Sequence, residues 1–457
     1  MVKATGAVVI SAPASGSGKT TVATGLMAAL RRAGHRVAPF KVGPDFIDPG
    51  YHALATGRPG RNLDPVLVGE DLIGPLYRHG SDGADIAVVE GVMGLFDGRI
   101  DEHPVTPARG STAQIAQLIG APVILVIDAR GQSQSIGAVL QGFSTYSNAI
   151  HIGGVILNRV GSPRHEQVLR QACESAGIPV LGSLGRHDDL SVPSRHLGLV
   201  TAEEHGGAAA AAVAAMADLV AGCVDVAAVA ALARSSVSAQ PWSPERAVGE
   251  PVTGRPLVAV AAGPAFTFGY AERDELLRAA GAEVVTFDPI RDVLPQGTAA
   301  LVLPGGFPEQ YGRELAGNIA LRSEIAGLST VAPVHAECGG LTYLMSDLDG
   351  NPMCGVLPGS ARFTERLALG YRDAVAPVDS VLFTAGERMT GHEFHRTTVE
   401  FAEPVQPAWL LRTDVGAPSA EGALAAGVHA SYLHTHPAAA PHSLRRFVGN
   451  AFTRLAR

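Results

Sequence analysis

The sequence predicts an α/β protein of two domains, the first built on a doubly wound, mainly parallel sheet, and three observations predict it. First, short apolar runs alternate with helix-like patterning: AVVIS at 7–11, DIAVVE at 85–90, PVILVID at 122–128 and GGVILN at 153–158. Runs of strand length with no polar face belong in a sheet covered on both sides by helices. Second, the aperiodic, Pro-containing stretch SSVSAQPWSPERAVGEPVTGRP breaks the alternation and reads as a linker over 235–255. Third, the alternation restarts with LVAVAAG at 257–263, EVVTFDP at 283–289, ALVLPGG at 300–306 and TVAPVHAECGG at 330–340. The expected domains are therefore 1–234 and 256–457, with the Thr-, Phe- and Val-rich segment 361–405 adding antiparallel strands to the second.

Composition bounds the rest. At roughly 100–200 residues per domain, 457 residues allow two to four compact units. The 54 Gly and 31 Pro stay under the roughly 25–30% share at which low-complexity disorder takes over. A net charge of −8 leaves no overall basic surplus for phosphate-backbone binding, so no nucleic-acid partner is expected. Cys173, Cys223, Cys338 and Cys354 are widely spaced and form no CxxC, which fits a reducing cytoplasm better than a disulfide framework or structural zinc. The opening MVKATGAVVISAP has too short an apolar run for a signal peptide and reads as a first strand. The Ala-rich stretch 206–233 is long enough to span a bilayer, but Asp218 and Asp225 interrupt it. It reads as a helix covering a domain edge, and no membrane partner is expected.

After the first strand comes APASGSGKTT, with Gly16, Ser17, Gly18, Lys19, Thr20 and Thr21 between a strand and a helix. Glycines let backbone N–H groups close around phosphate oxygens. A Lys reaches the β/γ-phosphates, and a hydroxyl ligates Mg²⁺ at the helix N-terminus. The full GxxxxGK[ST] pattern is broken at its first position, where Pro13 stands in place of Gly. The loop KVGPDFIDPGYH after the second strand carries Lys41, Asp45 and Asp48, a concentration of charge that points either to substrate or metal contact or to a solvated turn. Glu90 ends DIAVVE at the same sheet edge as the phosphate loop and is the stronger Mg²⁺ candidate; Asp128, ending PVILVID, is a weaker one. Asn158 ends GGVILN, where an amide either pairs with an adenine edge or caps a turn.

In the second domain, VHAECGGLTYL places Cys338 between an apolar strand and a helix, the geometry of a nucleophile elbow. A thiol near a helix N-terminus is favoured as thiolate. Its base is sought in SYLHTHP, at His434. LPGGFPEQY brings Gly305 and Gly306 to another strand end, where a backbone N–H joins that of Gly339 as an oxyanion site. The other three cysteines lack such neighbours and read as structural.

The second domain resembles a class I glutamine amidotransferase, and the first resembles the P-loop fold of dethiobiotin synthetase. Together SGSGKTT, KVGPDFIDPGYH, RNLDPVLV, VVEGVMGLFDG, ILNRVGSPRHEQVLR, LPGGFPEQY, HAECGG, GHEFHRT and SYLHTHP, in this order, resemble the cobyrinic acid a,c-diamide synthase family of cobalamin biosynthesis over essentially the whole chain. The resemblance implies a glutaminase-like second domain that releases ammonia. It also implies a first domain in which ATP activates corrin acetates as acyl phosphates. By motif, Lys19, Thr20 and Glu90 are expected to handle ATP and Mg²⁺, Lys41 the transferred phosphate, and Asn158 adenine, with Asp45 and Asp48 near metal or substrate. Partners are then glutamine, ATP and a corrinoid, and the resemblance is compatible with a homodimer. Amidotransferases of this class commonly carry a carboxylate two residues after the histidine; here that residue is His436, so a Cys-His dyad is expected, with His436 either orienting His434 or idle.

Two other functions compete: amidation of other corrin carboxylates, as by a cobyric acid synthase, and a P-loop partition or scaffold ATPase with an inactive second domain. Within the favoured reading, the Ala-, Gly- and Arg-rich composition fits a high-GC aerobic organism, which favours hydrogenobyrinic acid over its cobalt-containing counterpart.

Overall fold

The computed structural model describes residues 4–100, 105–186, 194–195, 198–199, 201–413 and 417–455. The chain divides into two compact units, 1–242 and 243–457. In the first, the order is β1 (Gly6–Ser11), α1 (Lys19–Arg32), β2 (Val37–Val42), α2 (Asp48–Thr56), β3 (Arg61–Leu63), α3 (Pro65–Val68), α4 (Glu70–Gly80), β4 (Ile86–Glu90), α5 (Thr112–Ile119), β5 (Val123–Asp128), α6 (Ser135–Thr145), β6 (Ile152–Val160), α7 (Pro163–Ser175) and β7 (Val180–Gly185), then the short pair β8 (Ser194–Arg195) and β9 (Gly198–Leu199), and α8 (Ala202–His205), α9 (Gly207–Cys223) and α10 (Val226–Leu232).

Strands β1 to β7 form one parallel sheet in the order β3-β2-β4-β1-β5-β6-β7. The central strands β2 and β4 are buried along their whole length, Lys41 and Glu90 near their ends included. The Ala-rich stretch departs from the single expected helix. Val224 is extended, and Asp225 caps a second helix by accepting the Ala228 N–H at 2.9 Å. α9 packs on α1, so closely at Gly25 that a Cβ there would stand 2.5 Å from the Met216 carbonyl oxygen. Among the described residues no helix is long and apolar enough to cross a membrane.

The stretch 235–255 is ordered. Ser236 N–H donates to Ile119 O and Trp242 N–H to Pro75 O, both at 3.0 Å, which ties its first part to the first unit. The second unit begins with α11 (Pro244–Val248), capped by Ser243. It continues through β10 (Leu257–Ala261), α12 (Ala271–Ala279), β11 (Glu283–Phe287), β12 (Thr298–Leu303), α13 (Gly312–Gly317), α14 (Ile319–Ser329), β13 (Val334–Glu337), α15 (Gly339–Leu344), β14 (Met345–Leu348), β15 (Asn351–Pro352), β16 (Leu357–Val375), β17 (Arg388–Phe401), β18 (Trp409–Leu411), β19 (Ser419–Glu421), β20 (Ala423–Ala425), β21 (Val428–Ser431), β22 (His434–Thr435) and α16 (Pro441–Leu455). One sheet runs β11-β10-β12-β13-β21-β20, parallel except for β20. A second runs β15-β14-β16-β17-β22, and its long antiparallel pair β16–β17 holds most of the segment 361–405. Leu301, Leu303, Val334, Ala336, Leu341 and Tyr343 meet in the core, and Cys338 lies in the same cluster.

The α1–α9 contact yields a test. Gly25→Val should destabilise the first unit by about 1–3 kcal/mol, because Met216 O is backbone and cannot swing aside. The midpoint of its urea transition reads the change, and Gly25→Ala should cost less than Gly25→Val.

Candidate active sites

The first site follows from strand register. Parallel pairing sets Lys41 of β2 beside Glu90 of β4, and Glu90 beside Ile10 near the end of β1. The chain leaves β1 through the glycine-rich loop and enters α1 at Lys19. Thr20, in the first turn, donates its hydroxyl to Glu90 Oε1 at 2.6 Å. Lys41 Nζ donates to the same oxygen at 3.0 Å, to Asp48 Oδ2 at 2.5 Å and to the Gly91 carbonyl at 3.3 Å. Asp48 and His52 are four apart on α2 and so share a face; His52 Nε2 lies 2.7 Å from Glu90 Oε2. Asp45 accepts the Ile47 and Asp48 N–H groups through Oδ1, and its Oδ2 is 3.9 Å from Lys41 Nζ. Asn62 of β3 pins this loop by donating to the Gly43 and Asp45 carbonyls.

The group is buried, and its charges hold one another. Burial opposes ionisation of Glu90, but Lys41, His52 and Thr20 outweigh it and hold the carboxyl below the usual carboxylate range. Burial likewise opposes the Lys41 ammonium, which Asp48, Glu90 and Asp45 keep charged. Asp48 is raised by burial and by the neighbouring Asp45 and Glu90, with Lys41 offsetting part of this. Three carboxyl groups therefore surround Lys41, and the oxygens of Thr20, Glu90 and Asp48 lie together. That donor set suits a hard divalent cation. No group of three or more His, Cys, Asp or Glu side chains among the described residues is arranged to hold an ion unaided. Mg²⁺ characteristically takes one or two carboxylates and completes its shell with water and substrate phosphates.

Around the phosphate loop, Gly18 adopts φ +95°, and a Cβ there would stand 2.3 Å from Asn158 Nδ2. Glycine is needed both for the left-handed backbone and for the close approach. Asn158 donates to the Ser17 carbonyl at 2.9 Å and accepts the Arg159 N–H at 2.9 Å. Both of its polar atoms thus have protein partners, and it braces the loop. Lys19 Nζ donates to the Ala14 carbonyl at 3.3 Å; burial and then Lys41 lower its pKa from the ordinary lysine value. Gly16 is exposed on the loop, Ser17 is buried, and Thr21 is half-buried on α1. Asp128, the weaker metal candidate, is instead bound by two guanidinium groups, Arg130 at 2.8 Å and Arg159 at 2.6 Å, and Arg159 also donates to Gly16 O. The brace by Arg159 and the His52 contact to Glu90 are what sequence reading missed. The His52 spacing from Asp48 is the one signal that pointed to it.

The second site centres on the end of β13. Cys338 has φ +49°, an unfavourable backbone for a residue with a Cβ, and its N–H donates to Ser431 O at 2.7 Å. Its thiol faces the Phe394 carbonyl of β17, 3.9 Å away, which draws the GHEFHRT segment into the site. A Cβ on Gly305 would stand 2.4 Å from His434 Cε1, and one on Gly339 would stand 3.1 Å from Gly306 N. The Gly305-Gly306 dipeptide therefore touches His434 on one side and the residue after Cys338 on the other. The backbone of Gly306 therefore lies beside Gly339, the two residues that sequence reading named for an oxyanion site.

Burial pushes the Cys338 thiol far up, with Glu309, Glu337 and Glu393 adding to it and the Gly339 backbone opposing. His434 is fully buried on β22, paired across to His392 of β17. Burial, then His434 and Arg372, lower His392 to about 3, so it stays neutral. His436 caps the turn after it by accepting the Ala438 N–H, and faces Glu272 at 3.9 Å and the Tyr270 ring. The carboxylate facing His434 Nδ1 is Glu337 Oε2, at 3.8 Å. Below the elbow, Glu421 accepts from Ser431 Oγ and the Tyr432 N–H, each at 2.6 Å, and burial raises its carboxyl to about 7. Sequence reading assigned no role of their own to Glu337 or Glu421. Of the remaining cysteines, burial raises Cys173 to about 11 and Cys354 to about 12, which makes them inert packing residues.

Each unit matches a known domain family. Residues 8–200 match the CobQ/CobB/MinD/ParA nucleotide binding domain, and residues 257–441 match the CobB/CobQ-like glutamine amidotransferase domain. The chain is 65% identical over 446 residues to the hydrogenobyrinate a,c-diamide synthase of Mycobacterium bovis, covering 97% of this chain and 98% of the relative. It is 55% identical over 475 residues to the protein of the same name from Streptomyces coelicolor, covering 96% of each. It is 40% identical over 458 residues to the cobyrinate a,c-diamide synthase of Gloeobacter violaceus, covering 97% of this chain and 96% of the relative.

The buried charge network predicts a stability change. Lys41→Met leaves Asp48 and Glu90 facing each other in a buried site and should destabilise the first unit by about 3–5 kcal/mol at neutral pH. In the wild type Glu90 is depressed, so its contribution is present above the unfolded carboxyl pKa and fades as pH falls. In the variant, protonation relieves unpaired charge instead. Urea titrations should show the gap between the two proteins narrowing toward about pH 4; a gap that is constant with pH would contradict the network.

Proposed function

The chain belongs to the hydrogenobyrinate and cobyrinate a,c-diamide synthase family, and from that membership we propose that it amidates the a and c acetate carboxylates of hydrogenobyrinic acid, using ATP and glutamine. The observation that carries this reading is 65% identity along 97% of the chain to the M. bovis synthase, with a phosphate-loop site in one unit and a Cys-His site in the other.

A carboxylate is a poor electrophile because its leaving group would be oxide. Transfer of the γ-phosphoryl from ATP makes an acyl phosphate and ADP, and ammonia then displaces phosphate to leave the amide. In this scheme the loop N–H groups and Lys19 hold the β/γ-phosphates, Lys41 follows the transferred phosphoryl, and Asp45 and Asp48 border the corrin acetate. Asn158 braces the loop, and its amide is the proposed reader of the adenine edge. Bound Mg²⁺ neutralises phosphate charge, and Thr20 and Glu90 are the residues that would hold it. In the second unit, Cys338 attacks the glutamine amide with His434 as base, the Gly306 and Gly339 N–H groups steady the oxyanion, ammonia leaves, and water cleaves the thioester to glutamate. ATP as phosphoryl donor and buried reduced thiols both suit a cytoplasmic enzyme.

The preference for the cobalt-free ring is supported by the relatives: those at 65% and 55% identity carry the hydrogenobyrinate name, and the one at 40% the cobyrinate name. Purified protein given ATP, Mg²⁺, glutamine and each corrinoid, followed by mass spectrometry, should gain two amides and stop. Hydrogenobyrinic acid should show the higher kcat/KM; equal or better use of the cobalt form would overturn the preference, and four or more added amides would overturn the a,c reading.

Separate sites predict separable defects. Cys338→Ala should lower glutamine-supported diamidation by about 10³-fold or more while leaving ammonia-supported diamidation. Lys19→Ala should remove both, since phosphoryl transfer precedes any use of nitrogen. Product formed from ammonia at the wild-type rate by the Lys19 variant would sink the assignment of the first site.

A further inference from the structure

In the second unit one buried carboxylate joins the strand that carries the candidate nucleophile to the strand that carries the candidate base. Glu337 ends β13, immediately before Cys338. Its Oε1 accepts the Thr435 N–H at 3.3 Å and the Thr435 hydroxyl at 3.4 Å, and Thr435 immediately follows His434 on β22. Its Oε2 lies 3.8 Å from His434 Nδ1. His335, two residues back on the same face of β13, approaches Oε1 at 3.5 Å.

We infer that Glu337 is the positioning residue for His434, holding the imidazole with Nδ1 toward its carboxylate so that Nε2 takes the proton of the Cys338 thiol. The inference rests on the glutamine-hydrolysing role proposed above for Cys338 and His434. A neutral imidazole carries one N–H, and a fixed anion beside Nδ1 places that hydrogen there, which leaves Nε2 as the acceptor. When the thiol proton moves to Nε2, the ring becomes a cation beside an anion already in place. The cation then gives its proton to the departing amide nitrogen, so ammonia leaves and the imidazole returns to its starting form. Glu337 keeps its charge throughout. Burial disfavours that charge, but His335 and His434 hold the carboxyl below its ordinary range.

Among the described residues, Glu337 is a carboxylate placed for this work. His436, where the wider class carries an acid, caps a turn and faces Glu272. Glu393 pairs with Arg372 at 2.7 Å. Charges facing the thiol are Glu309, Glu337 and Glu393; those facing Glu337 are His335, His434 and, more distantly, His429; His434 also faces His392. The simpler role for Glu337 is that of a strut between β13 and β22. Glu337→Gln separates the two roles, because the amide oxygen still accepts from Thr435 while the charge is gone.

The direct effect of the Glu337 charge on Cys338 is to raise its pKa. Removing it therefore makes the thiol easier to ionise if Glu337 acts on the sulfur alone, and harder if Glu337 acts through His434. The test is the rate of Cys338 alkylation by iodoacetamide against pH in the full chain, with circular dichroism melting as the check on folding. We expect Glu337→Gln to move the alkylation profile to higher pH and to lower kcat for glutamine hydrolysis about 10²-fold with little change in KM. A profile that stays in place or moves to lower pH would overturn the positioning role. If the Gln variant does not fold, Glu337→Asp, which withdraws the carboxylate from Nδ1, should lower kcat about tenfold at unchanged KM, and wild-type kcat would overturn it. Glutamine hydrolysis retained by Cys338→Ala, measured alongside, would instead refute the nucleophile assignment on which the inference stands.

Discussion

A parallel ladder fixes which residues of neighbouring strands lie side by side, and the chemistry of the first unit depends on that register. With Ile10, Lys41 and Glu90 at matching heights on β1, β2 and β4, the ammonium and the carboxylate meet at the sheet edge where β1 gives way to the phosphate loop. A slip of one residue on β2 would turn Lys41 to the other face and leave Glu90 buried without its cation. The apolar strands that surround the pair supply the stability that holds two charges out of water.

The same arrangement recurs in the second unit with a different load. β12 and β13 run parallel, so the turns that follow them emerge at one edge, and the Gly305-Gly306 turn after one meets the Cys338 turn after the other. The positive φ at Cys338 is tolerated because its N–H is fixed by Ser431 O and the following helix starts at once. Electrostatically the two sites are opposites. The first holds Lys41 and Glu90 ionised by mutual pairing, whereas in the second burial and carboxylate neighbours push the Cys338 thiol toward its protonated form.

Side chains with no reaction of their own carry much of the geometry. Asn158 and Arg159 at the end of β6 reach the phosphate loop, Asn62 holds the loop that bears Asp45, and His52 contacts the far oxygen of Glu90. Under the elbow, Glu421 ties Ser431 to Tyr432, and Ser431 in turn receives the Cys338 N–H. Each comes from an element remote in sequence from the group it supports.

The sequence by itself determined the α/β class, because uninterrupted apolar runs have nowhere to go but a covered sheet, and it determined the candidate residues that sit in local patterns. Lys19, Thr20 and Thr21 are read from a strand, a glycine loop and a helix in succession; Cys338 is read from the same succession with a thiol at the bend. Those patterns are local because backbone conformation over a few residues dictates them. Tertiary structure alone decided the partners. That Lys41 bonds Glu90 across 49 positions, that Asp128 is taken up by arginines, that the Ala-rich stretch breaks at Asp225, and that Glu337 rather than His436 faces His434 Nδ1 all depend on strand order and register. A single sequence does not show which strands become neighbours, since pairing is settled by burying the whole set of apolar faces at once.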